Sequence, residues 1–212
     1  MRRQALICTV VLLPIASAAA QRQGAVHVGP FAAINYTTFA GPDASFARSR
    51  TDVAIGGQLD YSLDGIGFLR TGLLYSRRGT QGGSDDQGGR FTAKLSYFEV
   101  PVLLGYAPSS LGGVRPFVMA GGHIAFKLPS TCQVRFGLVV IFQTGCETAA
   151  FDMSSTDVAL LGGGGVLLPL GKSNLSLDVR YALGLTNVAS GFNARNRGFT
   201  FGAAYMFPLS IR

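Results

Sequence analysis

The chain has 3 Cys and 2 His among its 212 residues, and these are the first candidates for chemistry. Two thiols, Cys132 and Cys146, have no His or further Cys beside them, so they cannot complete a tetrahedral metal site. The chemistry left to them is a disulfide, which needs an oxidising compartment. Closing that ring of about 15 residues would remove about 3 kcal/mol of unfolded-chain entropy. His27 and His123 stand apart from Cys, Asp and Glu at metal-ligand spacing. A hydrolase or acyltransferase would need the fold to bring a Ser or Asp to one of them, and no catalytic, metal or cofactor residue is assigned. Gly162 to Gly165 followed by Gly171-Lys172-Ser173 imitates a phosphate-binding loop. That loop has four residues before its Gly-Lys-Ser, whereas five separate Gly165 from Gly171 here, Pro169 among them. The glycines read instead as points of close backbone approach.

A further set is ionic. Asp60, Arg70, Glu99, Asp178 and Arg180 each interrupt an apolar stretch, and an unpaired buried charge costs several kcal/mol. The segments that carry them say which way they point. Leu175, Leu177, Val179, Tyr181 and Leu183 interleave with Ser176, Asp178, Arg180, Ala182 and Gly184. Alternate side chains on a strand face opposite sides, so Asp178 and Arg180 share one face and the apolar residues the other. Phe199, Phe201, Ala203, Tyr205 and Phe207 repeat the pattern against Thr200, Gly202, Ala204 and Met206. Val53, Ile55, Gly57, Leu59 and Tyr61 do so against Asp52, Ala54, Gly56, Gln58 and Asp60. In four less regular segments one charge sets the parity: Arg70 in 68–77, Glu99 in 95–106, Lys127 in 116–127 and Asp157 in 156–168. Their apolar faces are then Leu69, Leu73 and Tyr75; Phe98, Val100, Val102, Leu104 and Tyr106; Val118, Ile124 and Phe126; and Val158, Leu160, Val166 and Leu168. With a first strand near Ala25 to Phe39, interrupted at Gly29-Pro30, the expected count is eight.

The compartment follows from the N-terminus. Arg2 and Arg3 precede the apolar run Ala5 to Pro14, and Ala18-Ala19-Ala20 forms a small-residue cleavage site, which reads as a signal peptide over 1–20 followed by one domain over 21–212. The run is shorter than the 20 or so apolar residues a spanning helix needs, and no small residue precedes Cys8 as a lipid-attachment site requires. Export places Cys132 and Cys146 where disulfides form. The 29 Gly, 15 Phe and 7 Tyr, with a mean hydropathy of +0.32, fit a membrane barrel, which hides its hydrophobicity in alternation. A Gly-rich secreted β-sandwich is the competitor. Links alternate in length: Ser62 to Gly67, Ala107 to Arg115 and Pro169 to Asn174 are short. Ala40 to Arg50, Gly79 to Thr92, Leu128 to Ser155 and Val188 to Asn196 are longer. The expected fold is all-β, an eight-stranded antiparallel transmembrane β-barrel with short periplasmic turns and longer extracellular loops.

Several motifs, in order, carry a family likeness: Leu73-Leu74-Tyr75-Ser76-Arg77-Arg78-Gly79, Leu95-Ser96-Tyr97-Phe98-Glu99-Val100-Pro101-Val102-Leu103-Leu104, Arg115-Pro116-Phe117 leading into Ala120-Gly121-Gly122, and Leu177-Asp178-Val179-Arg180-Tyr181-Ala182-Leu183-Gly184-Leu185. Over essentially the whole mature chain they resemble the outer membrane protein β-barrel domain family that includes the PorT-like proteins. The resemblance implies an outer-membrane location and implies little about activity.

A barrel of eight strands is just wide enough to be filled by side chains. Asp60, Arg70, Glu99, Asp178 and Arg180 are therefore assigned to a salt-bridged lumen, with a narrow polar pore as the alternative. The longest loop carries the cysteine pair around Phe136-Gly137-Leu138-Val139-Val140-Ile141-Phe142. Either this is a stapled hairpin packed on its neighbours or it is a contact surface for lipid or a partner. Arg48, Arg50, Arg77, Arg78, Arg90, Lys94, Lys127, Arg135, Arg195 and Arg197 map to the long-loop side, where arginine forks suit lipopolysaccharide phosphates. Asp43, Asp52, Asp85, Asp86, Glu147, Asp152 and Asp157 share that side. Expected partners are outer-membrane lipid, lipopolysaccharide and the barrel-insertion machinery. Nucleic acid is excluded despite the formal net charge of +7, because an exported barrel seldom meets it. Three functions stand: a structural or adhesive surface barrel, a narrow pore, and a soluble periplasmic lipocalin-like binder. In the last, Phe98, Val100, Leu177 and Val179 would face a ligand.

Overall fold

Apolar residues at every second position, many of them β-branched or aromatic, stabilise extended chain by packing on one pleated face, and strands form wherever that pattern runs. The computed structural model describes residues 24–83, 89–108, 110–136, 139–146 and 153–209. The expected signal peptide over 1–20, with Cys8, lies outside them. The strands are β1 (Val26–Ala40), β2 (Ala47–Arg48), β3 (Arg50–Ser62), β4 (Gly67–Gly82), β5 (Gly89–Tyr106), β6 (Arg115–Phe136), β7 (Val139–Gly145), β8 (Thr156–Leu170), β9 (Ser173–Gly184) and β10 (Arg195–Leu209).

Eight of these close a ring in the order β1, β3, β4, β5, β6, β8, β9, β10, with β10 paired back to β1. Every pair is antiparallel, seven join strands that follow one another around the ring in chain order, and the eighth joins the last strand to the first, so no sheet edge is left open across the ring. Following the register once around, Thr38 pairs with Arg197, Leu183, Leu160, Gly122, Val102, Thr71, Leu59 and finally Val28. The path returns to β1 ten residues from where it left. That stagger over eight strands tilts them about 40° from the barrel axis. The short β2 pairs with the end of β4, and β7 pairs with the end of β6.

Side chains divide by parity as the alternation predicts. Leu104, Val118, Leu73 and Ile55 are 62%, 61%, 57% and 56% exposed, while Arg70, Leu95, Ala125 and Ser176 are fully buried. Phe98, Leu177 and Val179 also stand outward and exposed, with Glu99, Asp178 and Arg180 buried. This overturns the lipocalin-like reading, which needed the opposite orientation. The outward rows carry aromatics at both ends: Tyr36, Phe98, Phe126 and Phe199 towards the long-loop side, Tyr61, Tyr106, Tyr205 and Phe207 towards the other. Two such girdles around an apolar band mark a barrel that sits in a bilayer.

Two expectations change. β1 runs through Gly29-Pro30 without a break on the β3 side, where Gly29 pairs with Gln58 and Pro30 with Gly57. Only the β10 side skips, from Val28 to Phe31, since Pro30 has no N–H to give. Within the span Gly79 to Thr92 the described residues 79–82 and 89–92 are strand, not loop, as is the first part of Leu128 to Ser155: Gly82 pairs with Phe91, and Arg90 with Arg135. Here polar residues occupy both faces, so hydrophobic period carries no signal although the backbone ladder continues.

The glycine-rich stretch of β8 explains itself at two positions. A Cβ on Gly163 or Gly165 would sit 2.2 Å from the Val179 carbonyl oxygen or 2.0 Å from that of Leu177, so β8 and β9 meet too closely there for any side chain. Over the long-loop end, Phe39, Ala44, Leu95, Cys132, Cys146, Val188 and Ala194 pack into an apolar roof above the lumen.

Candidate functional site

The inward faces converge on two clusters of charge stacked along the barrel axis. In the first, nearer the short turns, β4 presents Arg70 opposite Asp60 of β3 in register. Arg70 Nε and Nη2 donate to the two Asp60 carboxylate oxygens at 2.8 and 2.7 Å. Its Nη1 reaches Asp178 Oδ1 at 3.2 Å, and Nη2 also donates to Ser176 Oγ at 3.1 Å. Asp178 is shared: Arg180 Nε and Nη2 donate to it at 2.6 and 3.1 Å, and Arg180 Nη2 donates to Gln58 Oε1 at 2.9 Å. Two acids and two arginines thus balance.

Aromatic faces complete the seal. The Phe68 and Phe117 rings lie 5.2 and 4.8 Å from the Arg70 guanidinium, and Phe31 lies 4.8 Å from that of Arg180. Phe31 fits because Gly202, diagonal to it on β10, has no Cβ; one there would meet the ring at 2.5 Å.

The second cluster lies nearer the long loops. Arg78 Nη2 donates to Glu99 Oε2, and Arg78 Nη1 lies 3.5 Å from Asp157 Oδ2. His123 stands between the acids, its Nδ1 3.0 Å from Glu99 Oε1 and its Nε2 3.8 Å from Asp157 Oδ2. Asp157 also accepts from Thr186 Oγ1 and Asn196 Nδ2, each at 3.1 Å, and Asn196 Nδ2 donates to Tyr97 Oη at 3.3 Å. Between the layers, Asn35 Nδ2 donates to Ser76 Oγ at 3.0 Å while its oxygen accepts from Thr200 Oγ1 at 2.8 Å.

Of the residues singled out in sequence, Asp60, Arg70, Asp178 and Arg180 come together, and Glu99 joins a separate set. Arg78 and Asp157, assigned to the loop surface, are inside at 4% exposure each. His123, assigned no role, is inside as well. The signal for Arg78 was parity: it shares the inward phase of Arg70 on β4, whereas its neighbour Arg77 faces out. Asp157 had set the parity of its strand, and that same phase points it inward. His123 falls in phase with Lys127 on β6.

Cys132 and Cys146 form a disulfide, Cα to Cα 5.0 Å, which joins β6 to the residue just beyond β7. Of the apolar segment within this ring, Phe136, Val140, Ile141 and Phe142 are exposed at 37%, 44%, 63% and 53%. Val139 pairs through its backbone with Phe136; Leu138 lies outside the described residues. So do Asp85, Asp86, Glu147 and Asp152.

The geometry is that of a lipid-facing wall around a salt-bridged interior, and comparison with known proteins agrees with the barrel fold. The crystal structure of the outer membrane protein OprG from Pseudomonas aeruginosa superposes with a TM-score of 0.62 at 12% identity, covering 92% of this chain and all of that one. Neisserial surface protein A gives 0.49 at 16% identity, covering 86% of this chain and 98% of that one. At 12% identity the likeness to OprG speaks for the fold alone. No curated protein matches the sequence. The model of the outer membrane protein beta-barrel domain family matches residues 18–190, most of the chain, and the protein belongs to that family and resides in the outer membrane.

Proposed function

We propose that this barrel acts through its surface, in a structural or adhesive role, with a lumen that side chains seal, and that it neither conducts solutes nor catalyses a reaction. The observation behind this reading is the interior itself. The ion-paired side chains of Asp60, Arg70, Glu99, Asp157, Asp178 and Arg180 are at most 10% exposed, and the apolar roof lies above them. A conducting channel instead needs a water-filled path lined by polar groups. The surface role is supported by the stapled β6–β7 hairpin, whose Val140, Ile141 and Phe142 stand exposed beyond the barrel, since exposed apolar patches mark interaction sites. Lipid, lipopolysaccharide and the insertion machinery are the partners its location offers.

Planar bilayer recording of the purified, folded protein tests the seal. The expected trace is flat, and discrete, voltage-independent conductance steps would overturn the sealed reading in favour of a narrow pore. Substituting Ile141 and Phe142 by Ser tests the surface. Binding of the cells to their target surfaces should fall while thermal stability stays unchanged; stability lost with binding retained would mean that the hairpin only packs on the protein itself.

A further inference from the structure

Arg195 and Arg197 stand apart from the lumen chemistry. Both have the outward parity of β10 and are exposed, continuing towards the loop end the lipid-facing row of Phe199, Phe201, Ala203, Tyr205 and Phe207. At a strand tilt of about 40°, Arg197 sits roughly 5 Å above Phe199 along the membrane normal, where apolar band gives way to headgroups. In register it lies between Leu183 of β9 and Thr38 of β1. A cavity of about 280 Å³ opens at this point, with Pro42, Leu183 and Leu185 as apolar walls and the two arginines at its rim.

Among the described residues neither guanidinium group forms an ion pair with a carboxylate, which is also true of the outward Arg77, but these two are neighbours on one outward row of one strand. Arg50, Arg70, Arg78 and Arg180 each pair with a carboxylate. Arg195 Nε donates instead to the Asn187 side-chain oxygen, at 3.3 Å. Asp43, next to the cavity-lining Pro42, accepts the Asn193 backbone N–H at 2.7 Å and forms no ion pair with either arginine. Two adjacent unpaired cations repel one another unless an anion lies between them, and guanidinium forks match phosphate oxygens in pairs.

We infer that Arg195 and Arg197 form a binding site for the phosphate of an anionic outer-leaflet lipid, whose acyl chain leaves the cavity along Leu183 and Phe199. A lipid fits better than a free phosphate because the cavity sets Pro42, Leu183 and Leu185 beside its polar Asn193, Arg195, Asn196 and Arg197, and its Leu183 and Arg197 border the bilayer-facing row. The inference rests on the proposal that outer-leaflet lipopolysaccharide is a partner.

The test uses the full mature chain folded into phosphatidylcholine vesicles, with or without lipid A. Wild type is expected to unfold at a higher temperature when lipid A is present. R195Q/R197Q should lose most of that rise, and R77Q, an outward arginine across the ring on β4, should keep it. Heat-modifiable gel migration in pure phosphatidylcholine establishes that each variant has folded; if R195Q/R197Q has not, R195K/R197K takes its place and should show a clearly smaller rise than wild type. No rise in wild type would remove lipopolysaccharide as a partner altogether. A full rise in the double variant would leave that partner standing and overturn this site alone. Inorganic phosphate giving wild type the same rise in pure phosphatidylcholine would overturn the lipid in favour of a free anion.

Discussion

A single arginine shows how the interior works. Arg70 is fully buried, yet it is held by two carboxylates, a hydroxyl and two aromatic faces, so its charge is compensated on every side. Removing it would leave buried Asp60 without its cation, while Asp178 would keep only Arg180. Arg70→Ala should therefore destabilise the folded barrel by about 3 to 5 kcal/mol, measured by denaturant-dependent folding in vesicles; a change within about 0.5 kcal/mol would mean the site is solvated. Glu99→Ala should cost a similar amount, because it leaves Arg78 and His123 side by side with only the longer contacts to Asp157. Much of this was legible from parity, which placed Asp60, Arg70, Glu99, Asp178 and Arg180 inward. Which acid meets which base was not. Arg70 and Asp178 are 108 residues apart, and only ring closure brings β4 and β9 face to face across the lumen.

At the scale of elements, the glycines and the hairpin carry separate expectations. Gly165 on β8 has the Leu177 carbonyl oxygen 2.0 Å from where a Cβ would stand, while Gly162 on the outward face has nothing within 4 Å. Gly165→Ala must push β8 off β9 and should destabilise by more than 1 kcal/mol, in the range of other overpacking changes of about 1 to 3 kcal/mol. Gly162→Ala should be tolerated, and comparing the two unfolding midpoints checks the pair. The Cys132–Cys146 bridge closes a loop about 15 residues long, which is worth about 3 kcal/mol in the chain-entropy account. Alkylation of the denatured, unreduced protein should find neither cysteine free, and two reactive thiols would refute the bridge. The pairing could be read from the sequence by export and by elimination. That the staple secures a separate strand, β7, rather than the start of β8 could not, because the residues around it alternate in no regular phase.

For the whole molecule, orientation follows from connectivity. Protease added to intact cells should cut only on the long-loop side, and cleavage within Ala107 to Arg115 would reverse the topology. That turn is also tied down from inside the fold. Arg115 Nη2 donates to the Ala107 carbonyl oxygen at 2.7 Å and to that of Gly65, joining two neighbouring turns. The sequence by itself determined the location, the strand count and which face of each strand meets lipid, because a barrel wall has a side-chain period of two and the bilayer demands apolar residues on one phase of it. It determined the disulfide pair by export and elimination, since Cys132 and Cys146 are the two cysteines beyond the expected signal peptide. The tertiary structure alone decided the ten-residue stagger, the split of the interior charges into two balanced layers, the inward turn of Arg78, and the height at which Arg195 and Arg197 meet the membrane edge. Those depend on how strands far apart in sequence align around a closed ring, and alternation carries no information about register between them.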